Sequence, residues 1–234
     1  SWVPILTGII LVYSYGFYGK ALEKGDTSAL VILFKLIPVL TVVFAFIFLG
    51  QTLSPNEILG FIVVLAGATV VSFEKGKGRF FGGFGFIFIA IVMWSLITLM
   101  ADWGLTKMPF WDYFALDVLG SAIAGPTFLL IPAMRRQIVN GLKTATAGKY
   151  FWFSWNNVLD FFGQMSFKKA LVFAPSAGLV TVVAQVQSFY AIIIGILLTI
   201  FMPRIIKEDI SSGTLVKKII GALVMFSGIY ILLV

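Results

Sequence analysis

The sequence predicts an all-α, polytopic membrane protein, and three observations predict it. Of its 234 residues 60% are hydrophobic and 12% charged, with a mean hydropathy of +1.04. A soluble domain is about half apolar and about a quarter charged, and in water this composition would expose patches large enough to drive aggregation. The apolar residues come in runs of about 20, the number a helix needs to cross the hydrocarbon core. The runs also lack the polar–apolar alternation over about 10 residues that marks a membrane β-strand.

Eight segments qualify as spans, roughly 2–22, 27–49, 55–73, 81–101, 111–134, 150–171, 176–200 and 216–234. Turn signals separate them in order: Gly25-Asp26, Ser54-Pro55-Asn56, Gly76-Lys77-Gly78, Pro109, Asn140-Gly141, Pro175-Ser176 and Ser212-Gly213. Trp2, Trp103, Trp111, Trp152 and Trp155 fall near span ends, where indole rings form interfacial belts. None of the connections is long enough for a soluble domain, so function must reside in or beside the bilayer.

Eight spans place the loops alternately on two sides. One side carries Lys20, Lys24, Lys75, Lys77, Arg79, Arg135, Arg136, Lys143, Lys149, Arg204, Lys207, Lys217 and Lys218; the other has only Lys107, Lys168 and Lys169. The positive-inside rule puts the richer side in the cytoplasm. The net charge of +7 therefore reads as topology, with no nucleic-acid partner.

Composition also excludes chemistry. With no Cys and no His, disulfides, thiol nucleophiles, imidazole bases and the usual N/S zinc sites are ruled out. No cofactor and no metal site is expected, and any proton chemistry falls to Asp, Glu, Lys or Tyr. The glycine-rich Gly82-Gly83-Phe84-Gly85 lacks the Lys-Ser/Thr of a phosphate-binding loop.

The chain repeats itself. Lys20-Ala21-Leu22 closes the first span and Lys169-Ala170-Leu171 the sixth, an offset of 149 residues from 20 to 169. The same offset carries Leu30-Val31 onto Leu179-Val180 and Leu49 onto Leu198. Beyond an insertion around 203–212, Gly60 and Gly67 match Gly221 and Gly228 at equal spacing. Spans one to three thus correspond to spans six to eight, and a complete unit has five helices. The expected division is a partial first repeat, 1–74, and a complete second repeat, 81–234. An odd helix number inverts one unit relative to the other. It also implies ten helices, two of them before Ser1.

The stretches Lys20-Ala21-Leu22, Leu36-Ile37-Pro38-Val39-Leu40-Thr41, Phe48-Leu49-Gly50-Gln51-Thr52-Leu53-Ser54 and Leu59-Gly60…Leu65-Ala66-Gly67 resemble the EamA domain of the drug/metabolite transporter superfamily. The second copy carries the resemblance through Ala170-Leu171, Ala174-Pro175-Ser176-Ala177 and Gly221…Ser227-Gly228, and Trp94 stands where such proteins often have Trp. The resemblance implies two inverted five-helix units around a central cavity, exporting or exchanging amino acids or other small solutes. It implies a multi-pass protein of the cell (plasma or inner) membrane. Gln51 departs from it, since the family often has Glu there. Orientation departs too: the family usually keeps both termini in the cytoplasm, whereas the charge count puts them outside, and the orientation stays open between the two.

Ionisable groups inside a span are costly and mark cavities or partners. Asn156, Asp160 and Gln164 lie four apart on one helix face, a polar wall with Asp160 as cation or proton site; interhelical hydrogen bonding is the plainer reading. Lys35 sits one turn before Pro38, which removes the backbone bond to Phe34 and marks a helix break of the kind transporters use for binding. Lys35 is placed to hold a substrate carboxylate or to pair with Asp160 or Asp117; snorkelling is its alternative. Asp117 either joins this network or faces interfacial water. Asp102 and Asp112, at helix ends, are expected to be solvated. Thr181, Gln185 and Ser188 share a face of the seventh span, with Gln185 the candidate for the cavity. Tyr13, Tyr15, Tyr18 and Trp94 are candidates for stacking on substrate or gripping a cation, with packing as the bland account. The glycines of the third and eighth spans allow close helix approach and suit a homodimer face.

These features favour a secondary transporter of a small metabolite, working by alternating access in the lipid bilayer and driven by a proton or a substrate gradient, with Asp160 the candidate proton site. A channel or lipid scramblase would want a continuous polar lining, and a membrane-embedded enzyme has no supporting motif.

Overall fold

The computed structural model describes residues 1–24, 33–72, 83–187, 190, 193, 194, 197, 201 and 212–233. Among the described residues there are nine α-helices and two 3₁₀ segments. We label the helices α1 (Val3–Lys24), α2 (Leu36–Leu49), α3 (Pro55–Ser72), α4 (Phe84–Leu105), α5 (Phe110–Ala124), α6 (Pro132–Thr144), α7 (Ala147–Phe173), α8 (Ala177–Val183) and α9 (Ser212–Leu233). Three stretches are long and apolar enough to cross a membrane: Val3–Lys24, Phe84–Leu105 and Phe110–Leu130. Shorter apolar helices lie at Leu36–Leu49, Pro55–Gly67, Ala177–Val186 and Ile219–Ile231. Gly25-Asp26, Gly76-Lys77-Gly78, Leu30, Val31, Ser188 and Leu198 lie outside the described residues.

Local chemistry sets the helix ends. Ser54-Pro55-Asn56-Glu57 forms a capping box: the Ser54 amide donates to Glu57 Oε2 at 2.6 Å and the Glu57 amide to Ser54 Oγ at 3.2 Å. Thr146 and Ser176 cap α7 and α8 through their hydroxyls. Gly50, at φ 65°, takes the left-handed turn that ends α2.

The centre of the assembly is α4, packed on α1 and α2 and touched by α5, α7 and α8. It buries Ile87, Ala90, Ile91, Ser95, Ile97 and Ala101, with small residues facing its neighbours. Glycine permits the closest crossings: Gly8 of α1 lies against the Asp117 carbonyl of α5, and Gly120 of α5 against the Ile5 carbonyl of α1. A second such seam joins α3 to α9, and it is reciprocal. A Cβ on Gly67 would lie 2.7 Å from Met225 and 2.8 Å from the Gly221 carbonyl. One on Gly228 would lie 2.7 Å from Val64 and 3.0 Å from the Gly60 carbonyl. Gly67 thus meets Gly221, the counterpart of Gly60, and Gly228 meets Gly60, the counterpart of Gly221.

Two expected spans and one expected connection have a different form. The run 111–134 is not one helix: α5 ends at Ala124, a 3₁₀ segment continues over Gly125–Leu130, and the chain breaks at Ile131. Ile131 precedes Pro132, which disfavours the helical conformation for it and leaves it extended at φ −90°, ψ 112°. The connection expected over 135–149 is largely helical, as α6. The run 176–200 begins as α8 but tightens to 3₁₀ over Ala184–Val186, where Gln185 Nε2 donates to the Thr181 carbonyl at 3.2 Å and competes for the helical acceptor. In addition, α7 is not among the helices apolar enough to span, because its first half carries the Asn156–Asp160 stripe.

Candidate functional site

The break before Pro38 places Lys35. Phe34 and Lys35 form a turn before α2, and the Phe34 carbonyl, which proline cannot bond, accepts from the Ile37 amide at 3.0 Å instead. Lys35 is therefore not inside a continuous helix, as expected, but at the N-cap of α2, with its side chain 7% exposed. Its Nζ donates to Gln185 Oε1 at 3.1 Å. Gln185, 4% exposed, sits in the 3₁₀ turn that follows α8, so the start of α2 and this tightened turn meet through these side chains.

Beside them lies an aromatic cluster. Trp94 of α4 is edge-on to Phe34 at 5.5 Å, to Tyr18 at 5.7 Å and to Tyr15 at 6.2 Å between centroids. Tyr13 points elsewhere, onto Phe128 and Thr127.

Tyr15 opens the second polar group. Its hydroxyl donates to the Asp160 carboxylate, at 3.2 and 3.3 Å from the two oxygens, and accepts from Gln164 Nε2 at 3.3 Å. Tyr15 and Gln164 are the residues that the 149-residue offset equates, and here they touch. Asp160 and Asn156 are exposed, and Gln164 is half-buried. Gln164 Oε1 accepts from Lys168 Nζ at 3.3 Å, and Lys168 forms an ion pair with Asp117 Oδ2 at 3.0 Å, both side chains almost fully buried. Thr7 Oγ1 donates to Asp117 Oδ1 at 2.7 Å and shares a hydrogen bond with the Tyr113 hydroxyl at 3.0 Å. A continuous chain of polar contacts thus runs from exposed Asp160 to the buried interior, tying α7, α1 and α5 together.

The structure corrects four expectations here. The cation of Asp117 is Lys168, not Lys35. Lys168 is a buried partner in α7, not a loop charge, which deepens the asymmetry of basic loops. Asp117 does not face interfacial water, being 2% exposed. Asp102 is not simply solvated: it is half-buried and accepts from Gln51 Nε2 at 2.6 Å. The last contact accounts for glutamine at 51, since a glutamate there would set two carboxylates against each other. Asp112 is exposed, as expected.

Sequence reasoning missed Lys168, Thr7 and Tyr113. Two carried a signal: Lys168 extends the Asn156–Asp160–Gln164 stripe by four more residues, and Tyr113 lies four before Asp117. Among the described residues no group of His, Cys, Asp and Glu could hold a metal ion. What the arrangement can do is present an ammonium with an amide, and a carboxylate with a phenol, beside one aromatic cluster.

Comparison with known proteins extends this. No curated protein matches the chain. Solved structures do match, 24 chains among them. One crystal structure superimposes with a TM-score of 0.66 at 16% identity, covering 99% of this chain and 75% of its own. Identity that low carries the fold alone. Residues 1–73 match the family model described as the EamA-like transporter family. That match, over the stretch that holds Tyr15, Lys35 and Pro38, supports a likeness to the EamA-like domain of the drug/metabolite transporter superfamily.

Proposed function

We propose that the protein is a secondary transporter of a small metabolite, an amino acid or similar solute, working by alternating access in the cell membrane. The observation that carries this is Lys35: a buried lysine at a proline-marked helix start, held by an amide from the 3₁₀ turn that follows a second helix. Broken helices at a shared site are how transporters bind charged solutes while two bundles rock around them. Lys35 and Gln185 would receive a carboxylate, Trp94, Phe34 and Tyr18 would wall the body of the solute, and Asp160 with Tyr15 would receive an ammonium or a proton.

The two-unit reading, 1–74 and 81–234, is supported by the Tyr15–Gln164 contact and by the reciprocal α3–α9 seam. An axis relating two copies brings equivalent residues together. Two inverted units with a site on their axis can open it to one side and then the other.

The test is counterflow in proteoliposomes with labelled amino acids and related metabolites, with and without a pH gradient. Saturable counterflow is expected, with Lys35→Met reducing uptake of carboxylate-bearing solutes at least tenfold and Lys35→Arg retaining part of it. Flux that rises linearly with concentration, without counterflow, would mean a channel. Asp160→Asn should abolish the response to a pH gradient; an unchanged response removes Asp160 from proton coupling.

A further inference from the structure

The connection between α5 and α7 is a folded helix that stands apart from the core. It begins at Pro132, beyond the break, and every residue over 135–144 is exposed. Its pattern is nonetheless two-sided. Met134, Ile138 and Leu142 recur every four residues on one face; Arg135 borders that stripe, and Arg136 and Lys143 lie on the opposite, polar face. Leu142 is 56% exposed. A short helix with an apolar stripe and cations on its polar side is built for the plane of a membrane interface.

Position and charge say what covers it. The apolar stretch Phe110–Leu130 ends one residue before the break at Ile131, so α6 starts at the mouth of a candidate span. The Tyr150 hydroxyl donates to the Leu142 carbonyl at 2.7 Å, which holds the end of α6 beside the start of α7. There Tyr150, Phe151, Trp152 and Phe153 are exposed, an aromatic belt at the same level. Between Asp117 and Asp160 the sequence contains no acidic residue, while Arg135, Arg136, Lys143 and Lys149 all fall within that interval.

We propose that α6 is an interfacial helix that binds the anionic leaflet, its Met134–Ile138–Leu142 stripe in the acyl boundary and its cations on lipid phosphates. The proposal needs only the membrane placement and is independent of what the protein transports.

The chain has no cysteine, which allows a direct test on its full length. Ile138→Cys carrying a nitroxide is reconstituted in phosphatidylcholine vesicles and in vesicles that also contain phosphatidylglycerol. The label should be shielded from an aqueous relaxation agent in the mixed vesicles, and spin-labelled phosphatidylglycerol should be enriched around the protein. Enrichment should fall by about fivefold for each cation removed in the series Arg135→Gln, Arg136→Gln and Lys143→Gln. These side chains are exposed, so an unchanged melting temperature will show that folding is retained. A label open to water in both vesicle types overturns the proposal. So does enrichment that the triple substitution leaves at the parental level, shielding without any preference for the anionic lipid, or shielding that depends on protein density and so reports a second copy.

Discussion

Replacing Asp117 by Asn leaves the Lys168 ammonium buried opposite a neutral group. Breaking a buried ion pair from one side typically costs about 3–5 kcal/mol, because a charge remains without compensation. Asp117→Asn should therefore lower the melting temperature in detergent markedly, followed through intrinsic tryptophan fluorescence. Lys168→Met, added to it, removes the stranded charge and should recover much of the loss. Equal melting temperatures for the single and double variants would show that Lys168 and Asp117 are not an energetic pair. Gln164 and Thr7 would then remain as ordinary hydrogen-bond partners. The pair was half legible in the sequence: Asp117 stands out as a charge inside an apolar run. Lys168 does not, because it adjoins Lys169 near a helix end and reads as a loop charge. Only burial, which depends on how α7 leans on α5, separates the two lysines: Lys168 is buried and Lys169 exposed.

At the scale of elements, helix interruptions do the positioning. Pro38 is the reason that the Phe34 carbonyl turns to Ile37 and that Lys35 stands in a turn at the N-cap of α2 and not inside the helix. In Pro38→Ala the amide returns, an i−4 bond to Phe34 becomes available, and α2 can extend backward through Lys35. The expected result is a melting temperature equal to or above that of the parent, with solute uptake reduced because Lys35 swings away from Gln185. Uptake at parental level with a straightened α2 would show that the break does not place the lysine. Pro38 announced itself in the sequence, as did the capping box at Ser54. By contrast, α6 was hidden: Asn140-Gly141 in its middle reads as a turn, and its helical character is visible only in the four-residue recurrence of Met134, Ile138 and Leu142. Similarly, the 3₁₀ turn at Gln185 depends on a side chain competing with its own backbone, which no periodicity records.

For the molecule as a whole, the seams decide which parts move together. The α3–α9 contact is tight at Gly67 and Gly228 and offers no room for a larger side chain. Gly67→Leu and Gly228→Leu should each cost roughly 1–3 kcal/mol through overpacking, and the two losses should be similar because the two glycines occupy equivalent places in the seam. Gly163→Ala, where a Cβ meets nothing within 4 Å, is the neutral control. Very unequal losses at 67 and 228 would argue against two equivalent halves.

The contact between Tyr15 and Gln164 offers the sharper test of motion. These residues are bridged at 3.3 Å, on α1 and α7, which belong to different halves of the proposed repeat. If transport requires the halves to rock, the separation at this point must change in each cycle. A covalent link there should arrest the protein in one state. Tyr15→Cys/Gln164→Cys has no native thiol to compete with it. Reduced, the double variant should bind solute weakly yet retain counterflow, provided the Lys35–Gln185 side still holds the carboxylate. Cross-linked by a short bifunctional reagent, it should lose counterflow, and cleavage of the linker should restore it. The single variants, treated alike, should not respond. Counterflow that continues with the link intact, verified by a shift in gel mobility, would mean that α1 and α7 stay fixed during transport and that opening must occur elsewhere, between α2 and α8.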